Sequence, residues 1–314
     1  MQTRMSEAKL QKMQTVAVMK YKLGLSNVEI ARRLNVSAMT ISRFLDMALE
    51  SGIVTISVKT SIVEDFDLEK EIKDKYSLND VVVVAGDLEP EPIEATAIAA
   101  AHYMDMILTD QDVFGIFAGN TIGRVMPHMR LTSVNDPSRF RIIQLQGGTY
   151  NAGKTNPSSM ISNFVNRFGA SGFLLQQPRY ARTEAQFEMT RESVWPTFLR
   201  QWQSCTVILS ALGALSPNIL QSDDQMLFED DYRELVEKHS VGRIFGHWVD
   251  REGKVLDCSC NKRTFTIPMK TALNIPLRIG VVSGIEKAEV SRTALNAHLV
   301  NSLVIDAKTA KFIL

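Results

Sequence analysis

The sequence predicts an α/β protein with an N-terminal helix-turn-helix and a large, doubly wound domain built on a mainly parallel sheet. The length of 314 residues exceeds the usual size of one compact domain. Apolar residues recur at helical spacing through the first fifty positions. From Asp80 onward, short β-rich runs alternate with helical stretches, which is typical of a parallel sheet with helices on both faces. We therefore expect two domains, residues 1–60 and 61–314.

The smaller domain begins with two predicted helices. An apolar stripe from Leu10 to Tyr21 forms the first helix, and Gly24 ends it. Ser26 and Glu29 have the spacing of a capping box, in which the two side chains satisfy backbone N–H groups at a helix start. The second helix covers residues 27–34 and is expected to bury Ile30, Ala31 and Leu34.

A tight turn leads from the second helix to a third. Asn35 suits this turn because Asn tolerates left-handed backbone angles, and Ser37 can cap a helix over about residues 38–51. The inward positions of that helix would be Ile41, Leu45 and Ala48. Two short helices joined in this way have the helix-turn-helix layout, whose last helix presents its N-terminal turn to the major groove of DNA.

The residues predicted to contact DNA are Arg32, Arg33, Ser37, Ala38, Met39, Thr40, Ser42 and Arg43. Arg43 would read a base or clamp a phosphate, whereas Arg32, Arg33 and Ser37 would contact the sugar-phosphate backbone. Residues 1–60 carry nine Lys/Arg and four Asp/Glu, a net charge of +5, so the remainder carries −5. A basic segment suits a polyanion. The alternative is a plain three-helix bundle with solvated arginines and a chance excess of charge.

Two segments follow the predicted helix-turn-helix. Ile53–Val58 alternates like a strand and would form a small wing or pack against the helices. Phe66–Tyr76 is charged and amphipathic, and predicts a linker helix. That helix would either make dimer contacts or pack on the large domain of its own chain.

In the large domain, we expect a ligand beyond the carboxyl ends of the parallel strands. Gly119-Asn120-Thr121 follows the predicted strand Val113–Phe117, and its backbone N–H groups and hydroxyl could hold a phosphate at a helix N-terminus. Gln146-Gly147-Gly148 follows the strand Ile142–Leu145 and would let backbone approach a ligand. There is no GxxxxGK(S/T) motif, so nucleotide triphosphate hydrolysis is not supported.

Three later segments extend this pattern. Ser210–Ala214 is a run of small residues after another predicted strand, and Arg251–Gly253 predicts a tight turn between two strands. Lys287 begins a helix beyond the strand Ile279–Val282. A lysine in that position can act as a point-charge ligand for phosphate, although surface lysines are also common.

Residue counts and spacing argue against several classes of protein. The three cysteines predict neither a disulfide framework nor a four-ligand zinc site, and the five histidines form no HExxH spacing. We therefore expect no metal and no cofactor. There is no apolar window of about 18 residues and no secretory signal, so we expect a cytoplasmic protein without membrane contact.

Taken together, these residues resemble the SorC family of sugar-responsive bacterial transcriptional regulators, also called SorC/DeoR. The resemblance covers nearly the whole chain, including the helix-turn-helix at 24–51, the Gly119 and Gln146 turns and Leu175-Gln176-Gln177-Pro178. The C-terminal part is the most specific. It contains Val241-Gly242-x-Ile244-x-Gly246-x-x-x-Asp250-x-x-Gly253, Gly284-x-x-Lys287-Ala288 and Leu303-Val304-Ile305-Asp306-x-x-x-Ala310.

The resemblance implies a large domain akin to sugar-phosphate isomerases that has lost catalysis and kept ligand binding. Family effectors are mostly phosphorylated sugars, and members commonly form tetramers. The resemblance also implies that Asn120, Thr121 and the Gly147-Gly148 turn hold phosphate, with Gln146 beside it and Lys287 on the ligand. The complete set of expected effector-binding residues is Gly119, Asn120, Thr121, Gln146, Gly147, Gly148, Arg243, Asp250 and Lys287.

Arg243 is a departure from the family pattern, which usually has an acidic residue after Val-Gly. That acid is expected to bond sugar hydroxyls, so the departure implies either a more anionic effector or a rebuilt site. Arg243 would be a compensating charge if Gln146 stands where some relatives have a basic residue.

The sequence favours a regulator whose affinity for operator DNA is controlled by a small phosphorylated sugar or sugar alcohol. Its expected partners are double-stranded operator DNA, this effector and further copies of the chain in a dimer or tetramer. The sequence is compatible with a repressor or an activator. The main alternative is an isomerase-type enzyme with an appended DNA-binding head, for which His247 and Asp250 are the nearest acid–base candidates. Their place beside a turn favours a structural role, and a protein-binding adaptor has no feature in its favour.

Overall fold

The structure is a computed structural model that describes residues 7–54, 65–85, 92–117, 119–148, 156–217 and 227–314. Contacts divide the chain into two compact units, Met1–Ser61 and Ile62–Leu314. Each unit has a hydrophobic core of its own. The predicted boundary at residues 60 and 61 and most of the predicted strand Ile53–Val58 lie outside the described residues.

The described part of the small unit consists of helices. These are α1 (Glu7–Ala17), α2 (Asn27–Leu34) and α3 (Ala38–Glu50). A π-helical turn, Val18–Lys22, extends α1. Val16, Ile30, Ala31, Ile41 and Leu45 form the buried core. The three predicted helices are therefore present and pack against one another.

The ends of α2 and α3 have the predicted local structure. Ser26 Oγ accepts a hydrogen bond from Glu29 N, and the Glu29 carboxylate accepts one from Ser26 N. Asn35 adopts left-handed angles (φ 51°, ψ 47°), and Ser37 Oγ accepts a hydrogen bond from Thr40 N. The predicted burial of Leu34 is wrong, since 36% of its surface is exposed. Leu34 is the last residue of α2, and the turn at Asn35 leaves its side chain partly in solvent.

The large unit is built on a seven-stranded sheet whose neighbouring strands are all parallel. The strands are β1 (Asp80–Val84), β2 (Val113–Ile116), β3 (Arg141–Gln144), β4 (Ser171–Phe173), β5 (Val207–Ala211), β9 (Leu277–Val282) and β10 (Ser302–Asp306). Their spatial order is β1-β10-β9-β5-β2-β3-β4. Parallel neighbours need crossover connections, which place helices on the faces of the sheet.

Helices cover both faces of this sheet. On one face pack α5 (Pro92–Ile107), α6 (Asn120–Val125) and α7 (Pro157–Phe168). On the other face pack α4 (Phe66–Tyr76), α8 (Glu184–Gln203), α12 (Ala288–Asn296) and α13 (Ala307–Ile313). Successive strand residues enter opposite cores, as Ile142 and Ile143 do. The doubly wound α/β fold class is thus confirmed.

The predicted linker helix, α4, packs on the large unit of its own chain. Ile72 and Tyr76 are buried in that unit's core. The Tyr76 hydroxyl donates to the Ile313 carbonyl, and Val83 N donates to the Glu69 carboxylate at 2.9 Å. We expected α4 either to make dimer contacts or to pack on the large domain of its own chain, and the structure shows the packing.

A three-stranded antiparallel sheet follows β5. Its strands are β6 (Gly213–Ala214), β7 (Gly242–Ile244) and β8 (His247–Val249). Three short helices accompany it, α9 (Glu229–Glu237), α10 (Ser259–Lys262) and α11 (Met269–Leu273). Tyr180 and Trp248 belong to its small hydrophobic core. Because β6 comes directly after β5, this small sheet stands at the carboxyl edge of the main sheet.

Candidate functional site

The residues predicted to contact DNA are exposed on the small unit, except for Thr40, which is half-buried. Met39 has 83% of its surface exposed in the first turn of α3, so it contributes little to the core. Ser37 Oγ and Thr40 Oγ1 lie 2.8 Å apart, and Ser37 also caps α3. The structure thus presents the N-terminal turn of α3 to solvent, as a groove-binding helix requires.

On the large unit, a cleft of about 160 Å³ lies at the carboxyl ends of neighbouring strands. Its walls are formed by Phe117, Gly119, Asn120, Thr121, Gln146, Ser210, Ala211, Leu212, Gly213, Arg243, Gly246 and Lys287. Six of the nine predicted effector-binding residues are among them: Gly119, Asn120, Thr121, Gln146, Arg243 and Lys287. Sites for drug-sized ligands have about 300 to 1,000 Å³, so this cleft suits a smaller molecule.

The Gly119-Asn120-Thr121 turn connects β2 to α6 and forms one wall of the cleft. Gly119 has a φ of 143°, which L side chains rarely adopt. A Cβ added at Gly119 would meet no described atom within 4 Å, so this backbone borders open space. Asn120 is exposed and its Oδ1 accepts a hydrogen bond from Arg124 Nε at 3.4 Å, while Thr121 is buried. The backbone is therefore accessible where the sequence predicts an anion.

Gln146 lies just beyond the end of β3, in the cleft wall, and is 2% exposed. Its Nε2 has no hydrogen-bond partner in the part of the chain that the structure describes. A buried donor that lacks an acceptor costs about 1 to 3 kcal/mol. Native proteins rarely leave such a group unpaired, so either a water molecule or a bound ligand with an acceptor atom would satisfy it in this cleft. The Nε2 group only donates, so its partner must offer an acceptor atom.

Gln144, two residues earlier, provides a contrast to Gln146. It is fully buried, and its Nε2 donates to the carbonyls of Gln146 and Leu175 at 2.8 and 3.0 Å. Its Oε1 accepts hydrogen bonds from Leu175 N and Ser158 Oγ. The Gln144 side chain therefore links β3 to the segment around Leu175. Both its amide nitrogen and its amide oxygen are hydrogen-bonded within the protein.

Lys287 follows β9 and is half-buried in the cleft wall. Its Nζ donates to the Ser283 carbonyl at 2.7 Å. Burial lowers the pKa of Lys287, and the nearby acids Glu286 and Asp306 act in the opposite direction. An ammonium group that loses hydration in this way gains from an anionic ligand.

Arg243 is the second cation of the cleft. Its Nη1 donates to the Tyr180 hydroxyl at 3.4 Å, and its guanidinium carbon lies 5.5 Å from the centroid of the Trp248 ring. No Asp, Glu or His occurs among the lining residues that the structure describes. The described lining residues therefore include two cations, Lys287 and Arg243, beside several polar side chains.

Residues 60–314 match the model of the Sugar-bind family, described as a sugar-binding domain. The chain belongs to this family. It is similar to the sorbitol operon regulator of Klebsiella pneumoniae, with 26% identity over 310 residues that cover 95% of this chain and 96% of the relative. It is also similar to the erythritol catabolism regulatory protein EryD of Brucella abortus (strain 2308), with 24% identity over 294 residues covering 92% and 91%. Transcriptional regulator LsrR of Escherichia coli O157:H7 is 26% identical over 301 residues, covering 94% and 91%.

Two solved structures share the fold of this chain. The crystal structure of the full-length sorbitol operon regulator SorC from Klebsiella pneumoniae matches with a TM-score of 0.71 at 22% identity, over 98% of this chain and 99% of that chain. A transcriptional regulator from Streptococcus pneumoniae TIGR4 also matches with a TM-score of 0.71 at 22% identity, over 79% of this chain and 95% of that chain. The resemblance to the SorC family that the sequence predicts is thus confirmed.

Gly147 and Gly148, which were expected to bind phosphate, do not line the cleft of this Sugar-bind protein. Gly147 N donates to the Phe265 carbonyl at 2.7 Å and Gly148 N donates to the Gln177 carbonyl at 2.8 Å. A Cβ added at Gly147 would collide with the Pro178 carbonyl. In the structure the N–H groups of both glycines are already used and Gly147 allows close packing, so their binding of phosphate stays a prediction.

Asp250 also lies away from the cleft-lining residues. Its Oδ1 accepts hydrogen bonds from the N–H groups of Glu252 and Lys254 at 3.0 and 2.9 Å. The predicted turn at Arg251–Gly253 is present, and Asp250 stabilises it. Asp250 is therefore engaged in this turn, and its contact with an effector stays a prediction.

The end of β5 supplies lining residues that were missing from the predicted set. These are Ser210, Ala211, Leu212 and Gly213. The sequence pattern that could have identified these residues is the run of small residues after a predicted strand. The same pattern identified the Gly119 turn. Gly246 belongs to the β7–β8 hairpin, and only the packing of the small sheet brings it to the cleft.

A larger cavity of about 280 Å³ lies between α6 and α7. Its lining is mostly apolar and includes Met126, Met160, Phe164 and Phe168. Arg167 is the cation there, and its Nη1 donates to the Pro127 carbonyl at 2.7 Å. The strand-end cleft has more polar lining residues than this cavity and offers more hydrogen-bond partners to a hydroxyl-rich molecule.

Two further features are absent from the described residues. No helix in them is long and apolar enough to cross a membrane. They contain no group of three or more His, Cys, Asp or Glu side chains that could hold a metal ion. Cys258 and Cys260 are buried with their Sγ atoms 3.5 Å apart, in the small core that contains Trp248.

Proposed function

We propose that this protein is a DNA-binding transcriptional regulator whose affinity for operator DNA is controlled by a small phosphorylated sugar or sugar alcohol. The observation that carries the proposal is the buried Nε2 donor of Gln146, which lacks an acceptor among the described residues and lies in a strand-end cleft that Lys287 also lines. The names of two relatives, a sorbitol operon regulator and an erythritol catabolism regulatory protein, support a polyol-like effector.

The lining residues suggest how the effector is held. A phosphate carries about −1.5 to −2 charges at pH 7 and offers three strong acceptor oxygens. The open backbone at Gly119, the Thr121 hydroxyl and the Lys287 ammonium supply donors and positive charge for it. Gln146, Asn120 and Ser210 are suited to the hydroxyl groups, since each side chain can donate or accept hydrogen bonds.

The small unit would bind operator DNA through α3 and the turn that precedes it. Arg43 is the candidate for reading a base, while Arg32 and Arg33, exposed at the end of α2, would contact phosphates. Helix-turn-helix proteins bind paired half-sites as dimers, so the active form would contain two or more copies of the chain, a dimer or a tetramer. Effector binding would then change operator affinity by a coupling free energy of about 1 to 3 kcal/mol.

The residues that line the cleft support ligand binding without catalysis. A sugar-phosphate isomerase needs an acid and a base within hydrogen-bonding reach of the substrate. His247, the nearest histidine candidate, donates to the Ile267 carbonyl at 2.9 Å, and burial lowers its pKa. Asp250 stabilises a turn. Both side chains therefore serve the β7–β8 region and are not held ready for proton transfer in the cleft.

Thermal unfolding and DNA binding test the proposal together. The full chain would be screened with tetritol, pentose and hexose phosphates and their unphosphorylated forms. A ligand at 100 times its Kd stabilises the protein by about 2.7 kcal/mol. We expect a phosphorylated polyol to stabilise the chain and to change its affinity for duplexes from its own genomic neighbourhood. Failure to bind any such duplex at low ionic strength, or conversion of the bound compound to product, would contradict the proposal.

A further inference from the structure

One methionine of the small unit lies almost entirely in solvent. Met39 has 83% of its surface exposed, the largest exposed fraction among the large apolar side chains of the described residues. The other methionines described in this unit take part in its packing: Met13 is fully buried, Met19 packs against the core and Met47 is half-buried. Met39 contributes little to the fold of the unit and is available for contact with another molecule.

Met39 lies on the face of α3 that points away from the core. An α-helix turns by about 100° per residue. Ile41, Leu45 and Ala48 are buried and therefore define the inner face of α3. Met39 and Arg43 are four residues apart, so they lie together on the outer face, where Arg43 is also exposed. Met39 is thus next to the candidate for reading a base.

The backbone that carries Met39 is fixed by the cap of α3. Ser37 Oγ accepts a hydrogen bond from Thr40 N at 3.1 Å and lies 2.8 Å from Thr40 Oγ1. Both hydroxyl groups are therefore engaged with each other at the start of the helix. The cap holds the first turn in place, while the flexible thioether side chain of Met39 can adapt to the surface that it meets.

The surroundings of Met39 suit a polyanion. Arg43 shares its face of α3, and Arg32 and Arg33 are exposed before the turn that leads to this helix. Residues 35–44, which include the turn and the first part of α3, contain no Asp or Glu. Phosphate groups of DNA attract such a surface, and a helix-turn-helix presents the N-terminal turn of its last helix to the major groove. An apolar side chain at that point therefore faces base edges.

The major groove offers Met39 a partner of one chemical kind. The bases present hydrogen-bond donors and acceptors there, together with the apolar C5-methyl group of thymine. A thioether cannot donate a hydrogen bond and is only a weak acceptor. We propose that Met39 determines operator specificity by contacting the C5-methyl group of a thymine in the major groove. This inference rests on the proposed function, because it names the base feature that α3 reads in the operator.

The expected size of the contact follows from apolar burial. One buried methyl group contributes about as much as one buried CH₂ group, which corresponds to a change in affinity of about fourfold. A dimer on two symmetric half-sites makes the contact twice, so loss of both methyl groups should weaken binding about 15-fold.

Replacement of thymine by uracil tests the inference, because uracil lacks only the C5-methyl group and pairs with adenine in the same way. The full chain would first select its preferred duplex from a randomised library at an ionic strength at which non-specific binding is weak. Each thymine of that duplex is then replaced singly by deoxyuridine, and the affinity is measured by fluorescence anisotropy at one salt concentration. We expect at least one replacement to weaken binding about fourfold.

Two variants and a matched control assign this effect to Met39. Met39→Ala removes the apolar contact, and Met39→Gln keeps the length of the side chain but makes its end polar. Both variants should bind the thymine duplex and its uracil counterpart with nearly equal affinity. Met189→Ala is the control, because Met189 is 76% exposed on α8 of the large unit, and it should keep the preference for thymine. Both methionines are exposed, so these changes leave the cores intact.

The outcomes separate this inference from the proposed function. If no uracil replacement weakens binding of the unmodified chain, or if the preference for thymine persists in Met39→Ala, the role of Met39 is overturned while DNA binding stands. An equal loss of affinity for both duplexes in Met39→Ala would also overturn it, and would indicate a contact between copies of the chain. If no duplex is selected even at low ionic strength, both the inference and the proposed function fail.

Discussion

Gln144, the last residue of β3, and Gln146, two residues later, allow a direct test of the proposed ligand site. We consider Gln146→Leu beside Gln144→Leu, in which the same change is made two residues apart. Both side chains are buried, but Gln144 forms four hydrogen bonds with described groups, whereas Gln146 Nε2 forms none with them. Leu approximates the volume of Gln, so the two variants differ mainly in the hydrogen bonds that they remove.

The expected changes in stability differ in size between the variants. Gln144→Leu leaves Leu175 N without its acceptor, and a buried group in that state costs about 1 to 3 kcal/mol. In a unit of this size each kcal/mol lowers Tm by about 2 to 4 °C, so we expect a decrease of roughly 2 to 12 °C. Gln146→Leu removes a donor that has no described partner, so Tm in the absence of ligand should stay constant or rise.

The effect on effector binding runs in the opposite direction for Gln146. Loss of one hydrogen bond to the ligand weakens binding by about 0.5 to 1.5 kcal/mol, or about two- to tenfold. Differential scanning fluorimetry with and without the most stabilising sugar phosphate measures both quantities in one plate. If Gln146→Leu destabilises the unliganded protein as much as Gln144→Leu does, its amide is already satisfied and the reasoning that identified the ligand site is wrong.

Three further predictions concern the operator, the core and the pH dependence of binding. Arg43→Ala should weaken operator binding by about 1 to 3 kcal/mol in a gel-shift titration if Arg43 pairs with a guanine, and unchanged affinity would exclude that role. Asp231→Ala should destabilise the large unit by about 3 to 5 kcal/mol in urea unfolding, because it removes the carboxylate of a buried ion pair with Arg263, and a loss below 1 kcal/mol would show that the pair matters little. Lys287 has a pKa lowered by burial below its usual 10.5, so its charge is lost at lower pH than that of an ordinary lysine. Effector affinity should therefore decrease as the pH rises through that lowered pKa, and Lys287→Arg should abolish the decrease in titrations across the alkaline range.

The helix-turn-helix could be predicted in detail because its determinants are local. Ser26 and Glu29 close a box within three residues, and Asn35 takes up left-handed angles inside the turn. Such contacts depend on residue type and spacing alone. The burial of Leu34 depends on how α2 lies against its neighbours, which its position on an apolar stripe does not specify, and there the prediction was wrong.

The location of the cleft was also predictable, but the role of each residue was not. Parallel strands bring their carboxyl ends to one edge, so Gly119 and Gln146 could be expected to lie close together. A glycine after a strand has two explanations, however: a ligand near its backbone or a neighbouring segment packed on it. Gly119 fits the first and Gly147 the second, and the difference comes from the segment around Pro178, thirty residues away in the chain.

The contrast between Gln144 and Gln146 suggests why an unsatisfied donor is a better marker of this ligand site than a glycine turn. If the fold had saturated the amide of Gln146, the effector would have to break that bond before making its own, and the gain in binding energy would shrink. A ligand shifts an equilibrium only by its differential affinity for the two states. Under the proposed function, a donor without a partner among the described residues lowers the stability of the unliganded protein and makes effector binding more favourable.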